Sequence, residues 1–308
     1  MSDPRRTTPA APPAVSIHNW LLERALGPPD RRPQLDLQVV SLTGNEVIGS
    51  EGDPITHVLF PFDCLLSITQ GPPTDRAVEV ASVGREGLGG LWAAFGLSRW
   101  PGGCVTRIPG RAGRMPVDQF RAVLSTQPGF AGVLRAYAAS FLRQVGQSTV
   151  CLARHSIEEQ CARWLALAHD RVGSADLHIG HDALAEALGA RRASVTVTLG
   201  MLARVRAIAT HRLRVSIIDR NVLVQRACAC YRAIVDAIEM VHPAWLSTRE
   251  PPMKPFAAGV TAGLSGSDDG PPGPTRAAGS PRRTDTGLVE TRPQSAMEHR
   301  ISARKPAG

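Results

Sequence analysis

HDALAEALGARRASVTVTLGMLARV, residues 181–205, is the stretch whose reading decides the fold of this chain. Leu184 and Leu188 lie four apart, on one face of a short helix. Gly189 then permits the tight turn that two crossing helices need. Val195, Leu199 and Leu202 recur at i, i+4 and i+7, so a second helix buries that side. Its other side shows Arg192, Ser194, Thr196 and Thr198. Helix, glycine turn, helix is a helix-turn-helix, whose second helix can lie in the major groove of DNA.

The charges around it point the same way. From Ala190 to Arg214 there are six arginines (Arg191, Arg192, Arg204, Arg206, Arg212 and Arg214) and no Asp or Glu. A solvated face normally mixes signs. A one-signed face favours a polyanion. Beyond the second helix, IATHRLRVSIIDR (208–220) reads as two strands with a polar turn near His211-Arg212, a candidate wing. The expected winged helix-turn-helix spans 176–220. Its expected DNA contacts are Arg191, Arg192, Ser194, Thr196 and Thr198 on the helix, with Arg212 and Arg214 on the wing. Arginine on phosphate sets register, whereas Arg191 or Arg192 can bond guanine through two donors.

The rest of the chain bounds this reading. With 308 residues, 43% of them apolar, two modest domains plus tails are expected. The net charge of +8 suits a polyanion, nucleic acid or an anionic membrane surface, without choosing between them, while 5% aromatic residues argue against a stacking platform for single strands. The six cysteines are scattered and make no disulfide framework. No secretory signal and no long apolar run are visible, so a cytoplasmic protein with no membrane partner is expected.

Residues 1–32 read as a flexible arm followed by a short helix at 16–26, with Ser16 as its cap. Residues 33–128 carry β runs broken by turns, among them LDLQVVSL, ITHVLF, LLSI, AVEVASV and CVTRI, which suggests a sandwich or barrel. A helix at 117–126 closes that region. In the long helix 129–155, Leu134, Ala138, Phe141, Val145, Ser148 and Leu152 are spaced 4, 3, 4, 3 and 4. That is a coiled-coil seam, packed either on the chain's own β domain or on a second copy. Residues 156–235, beginning with a helix at 157–172, hold the reading head. Residues 251–308 are Pro/Gly/Ser/Arg-rich and read as a disordered tail.

Three phrases resemble the C-terminal half of Crp/Fnr-type transcription regulators: HSIEEQCARWLALAHDRVGS (155–174), LAEALGARRASVTVTLGML (184–202) and IIDRNVLVQRACACYR (217–232). EGDPITHVLFPFDCLLSI (51–68) and VEVASVGREGLGG (78–90) resemble the sensor of the same family. The resemblance covers roughly 33–235. It implies an α+β fold with an N-terminal β-roll (a cyclic-nucleotide-binding-like jelly roll), a long dimerisation helix and a C-terminal winged helix-turn-helix. It further implies a homodimer joined through helix 129–155, a recognition helix from about Arg192 to Ala203, and double-stranded DNA and RNA polymerase as partners.

The chain departs from the family's pattern in three places. Arg206 and Leu213 stand where members often have glycine, and a bulky residue is costly where a turn needs positive φ, so a differently shaped or looser wing is expected. Gly89-Gly90-Leu91 replaces the Gly-Glu-Leu step whose carboxylate holds the ribose of a cyclic nucleotide. Trp100-Pro101-Gly102-Gly103 lacks the arginine that holds its phosphate. Binding of cAMP is therefore not expected. Arg85, Glu86 and Gly87 occupy the corresponding loop as candidate effector contacts, although Arg85-Glu86 reads more simply as a surface pair.

No metal or other cofactor is expected. Cys151 and His155, at i and i+4, form one ligand pair, and Cys228-Ala229-Cys230 read as helix turns its sulfurs to different faces. The N-terminal arm has no cysteine for an iron–sulfur cluster. No catalytic motif appears, so no catalytic residue is assigned and the chain is not read as an enzyme. The alternative function is a sensor or scaffold that acts through protein partners and has a degenerate DNA-binding half.

Overall fold

The computed structural model describes residues 18–27, 35–71 and 77–243. The expected arm (1–15), the Ser16 cap and the expected tail (251–308) lie outside the described residues. Helix α1 (Trp20–Leu26) is capped instead by Asn19, whose side chain accepts from the Leu22 amide. The Asn19 side-chain amide also donates to the carbonyls of Pro61 (3.0 Å) and Gly87 (2.9 Å), which pins α1 to the β domain.

That domain is two antiparallel sheets. One has the order β1 (Gln38–Leu42), β7 (Gly110–Pro116), β3 (His57–Pro61). The other has the order β2 (Val47–Gly49), β6 (Gly103–Ile108), β4 (Leu65–Gln70), β5 (Val78–Val83). Val58, Phe60, Leu66, Val83 and Met115 are fully buried in one core with Leu21 and Leu22 of α1. Each such side chain contributes about 1.5–3 kcal/mol. β7 was not evident from sequence, because GRAGRMP has no β-branched residue. It becomes a central strand because β1 and β3 flank it, with Val39 and Phe60 both opposite Gly113.

Helices α2 (Val117–Thr126), α3 (Pro128–Arg154) and α4 (Ile157–Val172) follow. Ser156 and Glu159 form a reciprocal capping box that starts α4 where expected. None of the described helices is long and apolar enough to cross a membrane.

The expected seam of α3 is corrected by the structure. Leu134, Ala138, Phe141 and Ser148 are buried within the chain, Val145 is half-buried, and Leu152 is exposed. Phe141 meets Trp92 edge-on at 6.0 Å between ring centroids. From Leu134 to Val145 the apolar stripe is therefore the helix's attachment to its own β domain. A different stripe faces solvent: Ala139, Leu142, Gly146, Thr149, Val150 and Ala153.

Two buried polar joints tie the β domain to α4 and the reading head. Arg171 of α4 is fully buried and pairs with Glu86 at 2.8 Å. It also donates to Ser82 Oγ (2.6 Å) and to the Gln144 side chain of α3. Glu86 is itself only 2% exposed, so the expectation of a surface Arg85-Glu86 pair is overturned. Arg85 Nε donates to the Arg171 carbonyl at 2.8 Å, and its guanidinium lies over the Trp20 ring. Gly87 packs so closely under Tyr137 that a Cβ would strike the phenol ring. Arg85, Glu86 and Gly87 are thus internal joinery, and their candidate role as effector contacts is withdrawn.

The second joint centres on Glu79 of β5, whose carboxyl burial holds above the usual carboxylate range. It accepts from Trp164 Nε1 of α4 (2.8 Å) and from the Ser67 hydroxyl. Arg107 of β6 donates to Ser67 Oγ (3.2 Å) and reaches Glu186 at 2.9 Å. Glu186 belongs to the first helix of the helix-turn-helix, described next.

Candidate nucleic-acid interface

The reading head consists of α5 (His181–Ala187), α6 (Arg192–Arg204) and a small sheet of order β8 (Asp176–Leu177), β10 (Arg214–Ile217), β9 (Ile208–His211). Helices α7 (Arg220–Arg226) and α8 (Cys230–Val241) complete it. Gly189 links α5 to α6 with φ +59°, as the tight turn requires. Leu184, Leu188, Val195, Leu199 and Leu202 are all buried in one core with α4.

The burial of that side forces the other side of α6 outward. Arg192, Ser194 and Thr196 are exposed along it, and Arg191 stands at its N-cap. Thr198 is corrected: it is 5% exposed and faces the core. It lies three residues after Val195, which puts it on the buried side of the helix. Sequence reading missed Val197, which is 65% exposed in the middle of the outer face, and Met201 one turn on. The same spacing rule that buries Thr198 exposes Val197.

Among the described residues, no side chain caps the first turn of α6. Its amide groups and the positive end of the helix are a ready anion site, beside exposed Arg191 and Arg192. Arg192 Nε lies 3.3 Å from Asp182, with both side chains mostly exposed, so this pair is weak and yields to a phosphate or base. Thr196 Oγ1 is 2.9 Å from His181 Nδ1, which fixes its orientation.

The wing turns at Arg212-Leu213, between His211 and Arg214, which are paired. Arg212 is exposed at the tip. Arg214 is part-buried and lies 3.7 Å from Asp176, so of the two it is the less free to meet DNA.

Arg206 and Leu213 both adopt the left-handed conformation, at φ +57° and +59°. The glycine geometry is kept without the glycine, so the expectation of a differently shaped wing is corrected at the backbone. At the end of α6 the Arg206 amide donates to Ala203 O (3.0 Å) and the Ala207 amide to Leu202 O (3.1 Å). This pair of bonds is a Schellman motif with arginine at its left-handed position. Left-handed strain in a non-glycine residue costs about 1–2 kcal/mol, part of which glycine's unfolded-state entropy offsets. Arg206→Gly is expected to stabilise the fold by about 0.5–1 kcal/mol. Thermal denaturation checks this, and an unchanged or lower Tm would mean that the arginine side chain contributes more than the strain takes away.

Residues 159–226 match the family model of the Crp-like helix-turn-helix domain. Among solved structures, the chain resembles FixK2 from Bradyrhizobium japonicum, at 18% identity and TM-score 0.51, covering 63% of this chain and 99% of that one. It also resembles TTHB099, a CRP-family transcriptional regulator from Thermus thermophilus, at 20% identity and TM-score 0.51, covering 61% of this chain and 96% of that one. No curated protein sequence matches it. The fold and the exposed cationic helix define a winged helix-turn-helix, DNA-binding transcription regulator. Residues 159–226 thus form a Crp-like helix-turn-helix domain.

Proposed function

We propose that the protein reads operator DNA as a homodimer, α6 of each subunit entering the major groove, and that its β domain does not take cAMP. The observation that carries the reading is the outer face of α6: an uncapped helix N-terminus flanked by exposed Arg191 and Arg192, beside exposed Arg212 of the wing. The core holds the opposite face, so this is the side available to a duplex. Ser194 and Thr196 add hydroxyl donors. Val197 offers an apolar contact of the kind that recognises the thymine methyl group.

The proposed functional division is a sensor-like region at 33–128, a dimer helix at 129–155 and a reading head at 156–235. The dimer contact is the exposed stripe of α3 centred on Leu142 and Gly146. Contact with RNA polymerase rests on the family resemblance. Loss of cAMP binding is supported where the ribose carboxylate would stand: Gly90 sits at φ +86° against Val58, a geometry that admits no Glu side chain without strain.

The test is duplex binding across salt concentrations, using operator sequences drawn from random duplexes by in vitro selection. Affinity should fall steeply as salt rises, because phosphate contacts release counterions. Arg192→Ala should lose about 1–3 kcal/mol on the preferred sequence and relax the preference. Arg212→Ala should weaken all sequences alike and reduce the salt slope by about 1. Equal losses on every sequence from both changes would remove α6 from the groove. Failure to enrich any palindrome would favour the scaffold alternative, whose motive in Arg206 and Leu213 the retained turn geometry weakens.

A further inference from the structure

We infer that Cys151, His155, Cys228 and Cys230 form a structural zinc site that fastens the end of α3 to the start of α8. The donor atoms of these four residues all lie within 4.8 Å of one another. Cys151 Sγ and Cys228 Sγ are 3.5 Å apart, and Cys230 Sγ is 3.4 Å from His155 Nδ1. A tetrahedral zinc ion, with Zn–S of about 2.3 Å and Zn–N of about 2.0–2.1 Å, sets such edges at about 3.8 and 3.6 Å. The four donors already stand close to that arrangement. Three thiols and one imidazole make a closed set of the kind structural zinc takes, with no position left for water. An iron–sulfur centre wants four thiolates or a Rieske pair of histidines, and the set offers neither.

The backbone explains why residues so far apart in sequence converge. Cys151 sits in the last turn of α3, and His155 is its C-cap in an extended conformation, where the helix stops. Cys228 is not in a helix at all. It precedes α8, which begins only at Cys230, and Ala227 before it is extended. The helical spacing that would turn the two sulfurs apart therefore does not apply, and the expectation drawn from it is corrected.

The surroundings suit thiolates. The three cysteines are 0%, 5% and 1% exposed in chain order and form a cluster of their own, separate from both hydrophobic cores. The Gln147 side-chain amide, one turn before Cys151, donates to Cys230 Sγ at 3.1 Å, as an outer partner of a metal thiolate does. Zinc with three thiolates and a neutral imidazole carries one net negative charge. On α4 the Arg163 side chain is buried, and its Nε has no hydrogen-bond partner among the described residues.

The experiment uses the full chain. Purified under reductant and passed through gel filtration, the protein should carry one zinc per chain by elemental mass spectrometry. The metal-free protein given cobalt(II) should show the intense visible bands of a tetrahedral ion with thiolate-to-cobalt charge transfer. Cys228→Ser with Cys230→Ser should lose both signals, and Cys64→Ser, outside the cluster, should keep both. Removing zinc should lower the Tm by roughly 10 °C. A second measurement needs no variant. In the native chain Cys151, Cys228 and Cys230 should resist alkylation until a chelator is added. Four results would each overturn the assignment: no cobalt uptake by reduced wild-type protein, zinc retained by the double variant, alkylation unaffected by chelator, or a Cys151–Cys228 disulfide in freshly lysed cells.

Discussion

Arg171→Leu should destabilise the protein by about 3–5 kcal/mol, because it strands Glu86 as a buried carboxylate without its cation. Glu86 is 2% exposed and pairs with the guanidinium at 2.8 Å, so little solvent can reach it to replace the lost charge. Ser82 and Gln144 lose a donor in the same step. For a chain of this size the Tm should drop by roughly 10 °C or more. Arg171→Leu combined with Glu86→Gln should recover much of the loss, since removing both charges leaves none unpaired. Chemical denaturation of the four members of this cycle measures the coupling directly. Single substitutions that each cost under about 1 kcal/mol would mean that water reaches the pair and that the joint is not buried in solution.

This joint was invisible in the sequence, for a physical reason. Arg171, Glu86, Ser82 and Gln144 lie on three elements and a loop, and no local spacing relates them. The helix-turn-helix was legible because its information is local. Leu184, Leu188, Val195, Leu199 and Leu202 encode helix, turn and helix through the 3.6-residue period alone, and the glycine turn falls where it must. The same period, applied more strictly, would have placed Thr198 inside and Val197 outside. On α3 the period showed correctly which face is apolar but not what covers it. Phe141 packs on Trp92 of the same chain, a contact set by tertiary folding. β7 failed for the opposite reason: its place in the sheet comes from β1 and β3, while its own residues carry almost no strand preference. The cysteine cluster was obscured by a wrong local assumption, that Cys228-Ala229-Cys230 is helical.

The exposed stripe of α3 gives the second large effect. Leu142→Arg should leave the fold intact, because Leu142 is 66% exposed. It should convert the proposed dimer to a monomer by burying an unpaired charge at the centre of the contact. A dimer binds two half-sites as one linked event, and losing that linkage should weaken operator binding by roughly 100-fold or more. Sedimentation would read the mass and duplex titration the affinity. Phe141→Ala, one residue away, separates the two faces of the helix. Phe141 is 6% exposed and packed within the chain, so its truncation should cost about 3–5 kcal/mol of stability through the cavity it leaves. The neighbouring substitutions should thus act on different quantities, assembly for Leu142 and stability for Phe141. If Leu142→Arg keeps both the mass and the operator affinity of the unmodified protein, the subunits meet through some other surface, and the outer stripe of α3 has no part in DNA binding.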